Sequence, residues 1–132
     1  MKITADTNIL LRAALFDDSR QSPKAKQLLE ESELVVVSRH ALCEFAWVLL
    51  RKYKLPKAEV VMAMSNLLNA ENVIADDAAV DAGFRVMETG ADFADGVIAY
   101  EGHWLGGGTF VSFDKKAVAA VEKQGHKAKL LK

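Results

Sequence analysis

Apolar residues fall along this chain in two kinds of run. Short β-prone runs occur at residues 2–5, in "ELVVVS" (33–38), "NVIADD" (72–77), "TFVSFD" (109–114) and "HKAKLL" (126–131). They predict five β-strands, and "ELVVVS", four apolar residues without alternation, reads as a strand buried on both faces. Longer segments with helical spacing lie between them. They cover residues 9–15, a segment opened by Pro23 with Ala25, Leu28 and Leu29 on one side, residues 39–53, and a segment opened by Pro56. Three more cover residues 77–89, a stretch from Asp92 to just before the triple glycine 106–108, and residues 115–125. Proline suits the first turn of a helix and glycine its end, which places these boundaries. Strands alternating with helices predict an α/β fold with a largely parallel sheet covered by helices.

A chain of 132 residues is the size of one domain, so residues 1–132 are expected to form a single domain. Its 17 basic and 18 acidic residues give a net charge of −1, so no global field advertises a polyanion or a membrane surface, and any nucleic-acid site must be local. The lone Cys43 excludes an internal disulfide framework and suits a reducing compartment. Asp6 and Asn8 interrupt the apolar start where a signal peptide would run unbroken, and no stretch is long enough to predict a membrane span. The expectation is a cytoplasmic protein with no membrane partner.

In a parallel α/β sheet, ligands gather where strands end. Asp6 follows the first strand and Asp114 the fourth, while Asp92 and Asp95 stand at the start of a helix and Glu44 lies inside the apolar "RHALCEFAWVLLRKY". Each aspartate also has a structural reading, as an N-cap or half of a capping box. Glu44 is harder to explain that way, because apolar residues flank it on more than one side. If the acids converge, repulsion matters: at an effective dielectric of 20, two carboxylates ~5 Å apart repel by about 3 kcal/mol. They must then bind protons or a cation. An all-oxygen set favours Mg²⁺, or Mn²⁺ as the alternative, over zinc. Such an ion activates water and takes phosphate oxygens as ligands, which points to hydrolysis of a nucleic-acid backbone.

The ordered series "ADTNILL", Glu44 in the helix after the second strand, "DGVIAY" at Asp95 and "VSFDKK" at Asp114 resembles the PIN domains, and among them the VapC-type ribonuclease toxins of toxin–antitoxin pairs. The resemblance implies a three-layer α/β/α sandwich around a mostly parallel, five-stranded sheet, and Mg²⁺- or Mn²⁺-dependent endoribonuclease activity on RNA. It also implies a cognate antitoxin and a homodimer, or a higher-order toxin–antitoxin complex. Asp6, Glu44, Asp95 and Asp114 then take the places of the metal-binding, catalytic acids. Asn8 and Ser112 take those of supporting polar groups, and Asp92 is a further acid without an assigned role. Gly96 stands where alanine is more usual.

Three other readings stay open: a phosphatase or receiver-like domain using Asp6, disfavoured by Asn8 in place of a second aspartate and by leaving Glu44 unexplained, a catalytically silent binding module whose acids are caps, and a non-toxin PIN-like nuclease. Arg12 and Lys115 are candidate phosphate contacts. His40 sits one turn before Glu44 and can meet it, whereas His103 and His126 read as packing or surface residues. Cys43, Trp47, Met62, Met64 and Trp104 are expected in the core, although apolar surface around Trp47 and along residues 60–68 exceeds what one sheet face needs and suggests an interface.

Overall fold

The expected alternation of strand and helix is what forms. The computed structural model describes residues 1–132 in full, and they fall into two compact units, Met1–Ala75 and Asp76–Lys132.

In the first unit, β1 (Lys2–Thr4), β2 (Leu34–Val36) and β3 (Val73–Ile74) pair in parallel in the order β1-β2-β3. Ile3 stands opposite Val35, and Val35 opposite Val73. Every residue of the central strand is apolar, and Val35 is fully buried. Helices α1 (Thr7–Leu15), α2 (Gln21–Glu31), α3 (Arg39–Trp47) and α4 (Lys57–Leu68) complete the unit, with Leu10, Leu42, Phe45, Leu49, Val60 and Met64 as its largest buried side chains.

Two helix boundaries differ from expectation. Helix α2 begins at Gln21, ahead of Pro23, because the Asp18 carboxylate accepts the N–H groups of Arg20 (2.9 Å) and Gln21 (2.7 Å). Pro23 is then the third helical residue, where no intrahelical donor is needed. The helix expected over 39–53 is α-helical only to Trp47 and continues as a π-helical turn, Val48–Lys52.

The second unit holds α5 (Asp77–Glu88), α6 (Phe93–Trp104), β4 (Phe110–Ser112), α7 (Lys115–Lys123) and β5 (Ala128–Leu130). Strands β4 and β5 are parallel, with Phe110 opposite Ala128 and Ser112 opposite Leu130. Phe110 and Ala128 pack on a cluster of Val86, Ala91, Ala120 and Val121. Helices α5 and α6 approach very closely. A Cβ on Gly96 would stand 2.7 Å from the Ala82 carbonyl carbon and 2.8 Å from Val86 Cγ2, and one on Gly83 would run into the Phe93 ring. This close approach accounts for glycine at position 96, where helix propensity alone would favour alanine.

The single five-stranded sheet is not what is seen: the five strands form a three-stranded and a two-stranded parallel sheet. The strands are two or three residues long, so each ladder is short, and the hydrogen bonds of β4 go to β5 across the α7 connection. The expected core is also corrected in part. Met64 is buried and Cys43 partly so, but Trp47, Met62 and Trp104 are exposed. Ala41, Leu42, Phe45 and Ala46 form the buried face of α3, and Trp47 lies with His40 and Glu44 on the other. Met62 is two residues from both Val60 and Met64, about 200° around α4 from each. No helix is long and apolar enough to cross a membrane.

Candidate active site

The polar triplet after β1 opens α1. Asp6 is its N-cap: the backbone is extended there, the Oδ1 oxygen accepts the Thr7 N–H at 2.8 Å, and the carbonyl receives the N–H groups of Ile9 (3.0 Å) and Leu10 (3.3 Å). Of the triplet only Thr7 is buried, at 8% exposure, while Asp6 and Asn8 face solvent. Thr7 has a second bond, its hydroxyl donating to Glu44 Oε1 at 3.1 Å. One buried threonine therefore holds two acids, Asp6 through its backbone and Glu44 through its side chain.

Glu44 is not embedded among apolar groups as its helix suggests. Its side chain is 51% exposed, and His40 Nε2 lies 3.0 Å from the same Oε1 oxygen, one helical turn away. The expected His40 contact is thus present. The role of Thr7 was missed, and its only sequence signal was its place between two polar residues at a strand-to-helix junction.

Asn8 lines a depression with Arg12, Gln21 and Lys24. Arg12 is already engaged. It donates to both carboxylate oxygens of Asp17 (2.9 and 3.0 Å) and to Gln21 (3.2 Å), and its bonds to Tyr53 and Asp17 raise its pKa further. That weakens its case as a phosphate contact.

In the second unit, Asp92 caps α6 and forms a capping box with Asp95, whose Oδ2 accepts the Asp92 N–H at 3.3 Å. Both are partly buried. Asp114 caps α7, with Oδ1 accepting the N–H groups of Lys116 (2.9 Å) and Ala117 (3.4 Å). Ser112 supports it from behind: its Oγ accepts the Asp114 N–H at 3.0 Å, so it holds the backbone rather than the carboxylate. Lys115, the other candidate phosphate contact, is exposed at the first position of α7.

Each sequence-selected aspartate is thus part of a helix start. Capping does not exhaust a carboxylate, which offers about four acceptor sites, and each cap bond of Asp6 and Asp114 uses Oδ1 alone. Within neither unit does a group of three or more His, Cys, Asp or Glu side chains gather that could hold a metal ion. What each unit supplies is carboxylate oxygens, at helix N-termini for the aspartates and within α3 for Glu44, the donor chemistry of a hard divalent cation.

No curated protein matches the chain. Among solved structures, the crystal structure of VapC20 from Mycobacterium tuberculosis, a sarcin-ricin loop cleaving toxin, is similar at 22% sequence identity and a TM-score of 0.44, covering 90% of this chain and 95% of that one. The PIN domain family matches residues 3–123, nearly the whole sequence, and the chain belongs to the PIN domain family.

Proposed function

We propose that this protein is a Mg²⁺- or Mn²⁺-dependent endoribonuclease in which Asp6, Glu44, Asp95 and Asp114 are the metal-ligating, catalytic acids. The observation that carries the reading is that the PIN match, residues 3–123, contains these four acids in order. It runs through both units, which supports treating 1–132 as one nuclease domain. The bound cation would supply Lewis acidity and an activated water for attack on a phosphodiester. The chain's own contribution is placement. Thr7 fixes Asp6 and Glu44 together, His40 holds the shared Glu44 oxygen, and Ser112 fixes the turn that presents Asp114.

The ordered motifs also support a VapC-type toxin role in the cytoplasm, with RNA as substrate and a cognate antitoxin as partner. The exposed Trp47 and Met62, at 54% and 64%, support a protein interface on α3 and α4, either with a second copy or with the antitoxin.

The cap geometry of every aspartate favours one competing reading, a silent α/β module whose acids only start helices. One assay separates the two. Purified protein is incubated with labelled RNA with and without Mg²⁺ or Mn²⁺, beside folded Asp6→Asn and Asp95→Asn variants. Cleavage that needs the ion and is lost in both variants is expected. Cleavage indifferent to chelator and to both substitutions would sink the metal-nuclease reading, and no cleavage by wild type under any condition would favour the silent module.

A further inference from the structure

The second unit carries an aromatic cluster that the acids do not use. Trp104 ends α6 and is 74% exposed. Its ring meets those of Tyr100 and His103 edge-on at centroid distances of 6.5 and 6.4 Å, and His103 in turn lies 5.4 Å from His126 in the turn between α7 and β5. The backbone beneath is fixed. The N–H of Leu105 donates to the Glu101 carbonyl (3.1 Å), that of Gly106 to His103 (3.1 Å) and that of Gly107 to Gly102 (2.7 Å). The indole thus stands exposed on a hydrogen-bonded backbone with ring contacts on its edges.

Charge is distributed unevenly about it. Residues 115–132 hold six of the chain's seventeen basic residues and one of its eighteen acidic ones. Two of these lysines, Lys127 directly after His126 and Lys129 within β5, are exposed and lie two apart along the chain, so they share a face. Glu101 and Glu122 are the acids of this end. A flat π-face beside a positive strand suits an unpaired nucleic-acid segment, because every base can stack on an aromatic ring while lysines meet the backbone.

We propose that Trp104, braced by Tyr100, His103 and His126, is a stacking platform for an unpaired base of an RNA, with Lys127 and Lys129 contacting its phosphates. This names a substrate-holding surface made of residues other than the acids and rests on the ribonuclease reading for its biological sense. It accounts for an exposed tryptophan that packing leaves unexplained, and for a basic segment in a chain of net charge −1.

The chain has two tryptophans, Trp47 and Trp104, so Trp47→Phe leaves Trp104 as the only indole reporter. In chelator, which prevents metal-dependent cleavage, titration with a single-stranded oligouridylate is expected to quench that fluorescence saturably, and a duplex RNA of equal length is not. Trp104→Ala should weaken binding of the labelled oligonucleotide about 10-fold. Lys127→Glu with Lys129→Glu should flatten the dependence of log affinity on log salt by about 0.7 per lysine. Unmoved fluorescence, together with an affinity within twofold of wild type in Trp104→Ala, overturns the proposal. So does sedimentation in which Trp104→Ala abolishes self-association yet leaves RNA binding intact, since the patch is then a protein interface. RNA binding with these properties but no cleavage leaves the platform standing and removes the nuclease. Cleavage and binding that ignore Trp104 do the reverse.

Discussion

Substituting Gly96 with alanine tests the packing that positions Asp95. Within α6 the added methyl removes the entropic cost of glycine and should by itself stabilise by about 1 kcal/mol. Against this, the new Cβ would stand 2.7 Å from the Ala82 carbonyl carbon and 2.8 Å from Val86 Cγ2, where unstrained carbon pairs sit at about 3.5–4.0 Å. Val86 Cγ2 can turn aside, but the Ala82 backbone cannot, so α5 and α6 must part by most of an ångström. Overpacking of this kind costs about 1–3 kcal/mol. A backbone obstacle belongs at the upper end, which leaves a net loss of about 2 kcal/mol. In a chain of this size that lowers Tm by roughly 6–12 °C. The same helix supplies the control. A Cβ on Gly102 meets nothing within 4 Å, so Gly102→Ala should raise Tm, by the propensity gain alone. Thermal unfolding followed by circular dichroism reads both. A Gly96→Ala variant as stable as wild type would refute the close α5–α6 approach, and equal shifts of one sign in both variants would show that helix propensity, not contact, decides.

Three further outcomes are expected. Asp114→Asn should unfold within about 0.5 kcal/mol of wild type, because asparagine is an equally good N-cap, whereas Asp114→Ala should lose about 1 kcal/mol; both should lose metal-dependent cleavage, and retained cleavage in Asp114→Asn would assign the carboxylate to capping alone. Thr7→Val should leave the fold in place but raise the Mg²⁺ concentration needed for half-maximal cleavage, with Thr7→Ser restoring it, because only the hydroxyl bond to Glu44 is lost. The Asp18 carboxyl is held below its usual range by the N–H groups of Gln21 and Arg20, so its contribution is complete above the unfolded pKa of ~3.9 and disappears as pH falls through the lower folded value. Denaturation of wild type and Asp18→Ala should accordingly differ at neutral pH and converge in acid, and a gap that widened on acidification would reverse the sign of this linkage.

Much of the fold was legible because strand and helix have different apolar periods. "ELVVVS" and "TFVSFD" read as strands in such a pattern, and each contains one. Which strands pair was not legible. Period and propensity act within a few residues, while the choice that gives β4 to β5 is made by tertiary contacts along ladders of three residues or fewer. Helix α3 misled for a related reason. Its composition is apolar nearly all round, yet only one face is buried, and Trp47 and Glu44 share the other. The extra apolar surface marks an exposed face, which composition alone cannot distinguish from a core.

The candidate acids posed a different difficulty, because capping and cation binding demand the same residue in the same place. A helix N-terminus orients free N–H groups toward a carboxylate, and a strand end followed by a helix is also where an α/β fold gathers ligands. No spacing rule can separate the two roles, but the hydrogen bonds grade them. Asp114 is a full cap, reaching the N–H groups of Lys116 and Ala117. Asp6 reaches only the N–H of Thr7, the residue beside it, and so satisfies none of the donors deeper in the first turn that an N-cap ordinarily takes. As a cap it contributes little, yet the same threonine also fixes Glu44, 37 residues farther along the chain. A residue serving only to start α1 would need no tie to α3. The Asp6–Thr7–Glu44 connection is therefore where capping alone explains least, and where loss of activity without loss of stability should be largest.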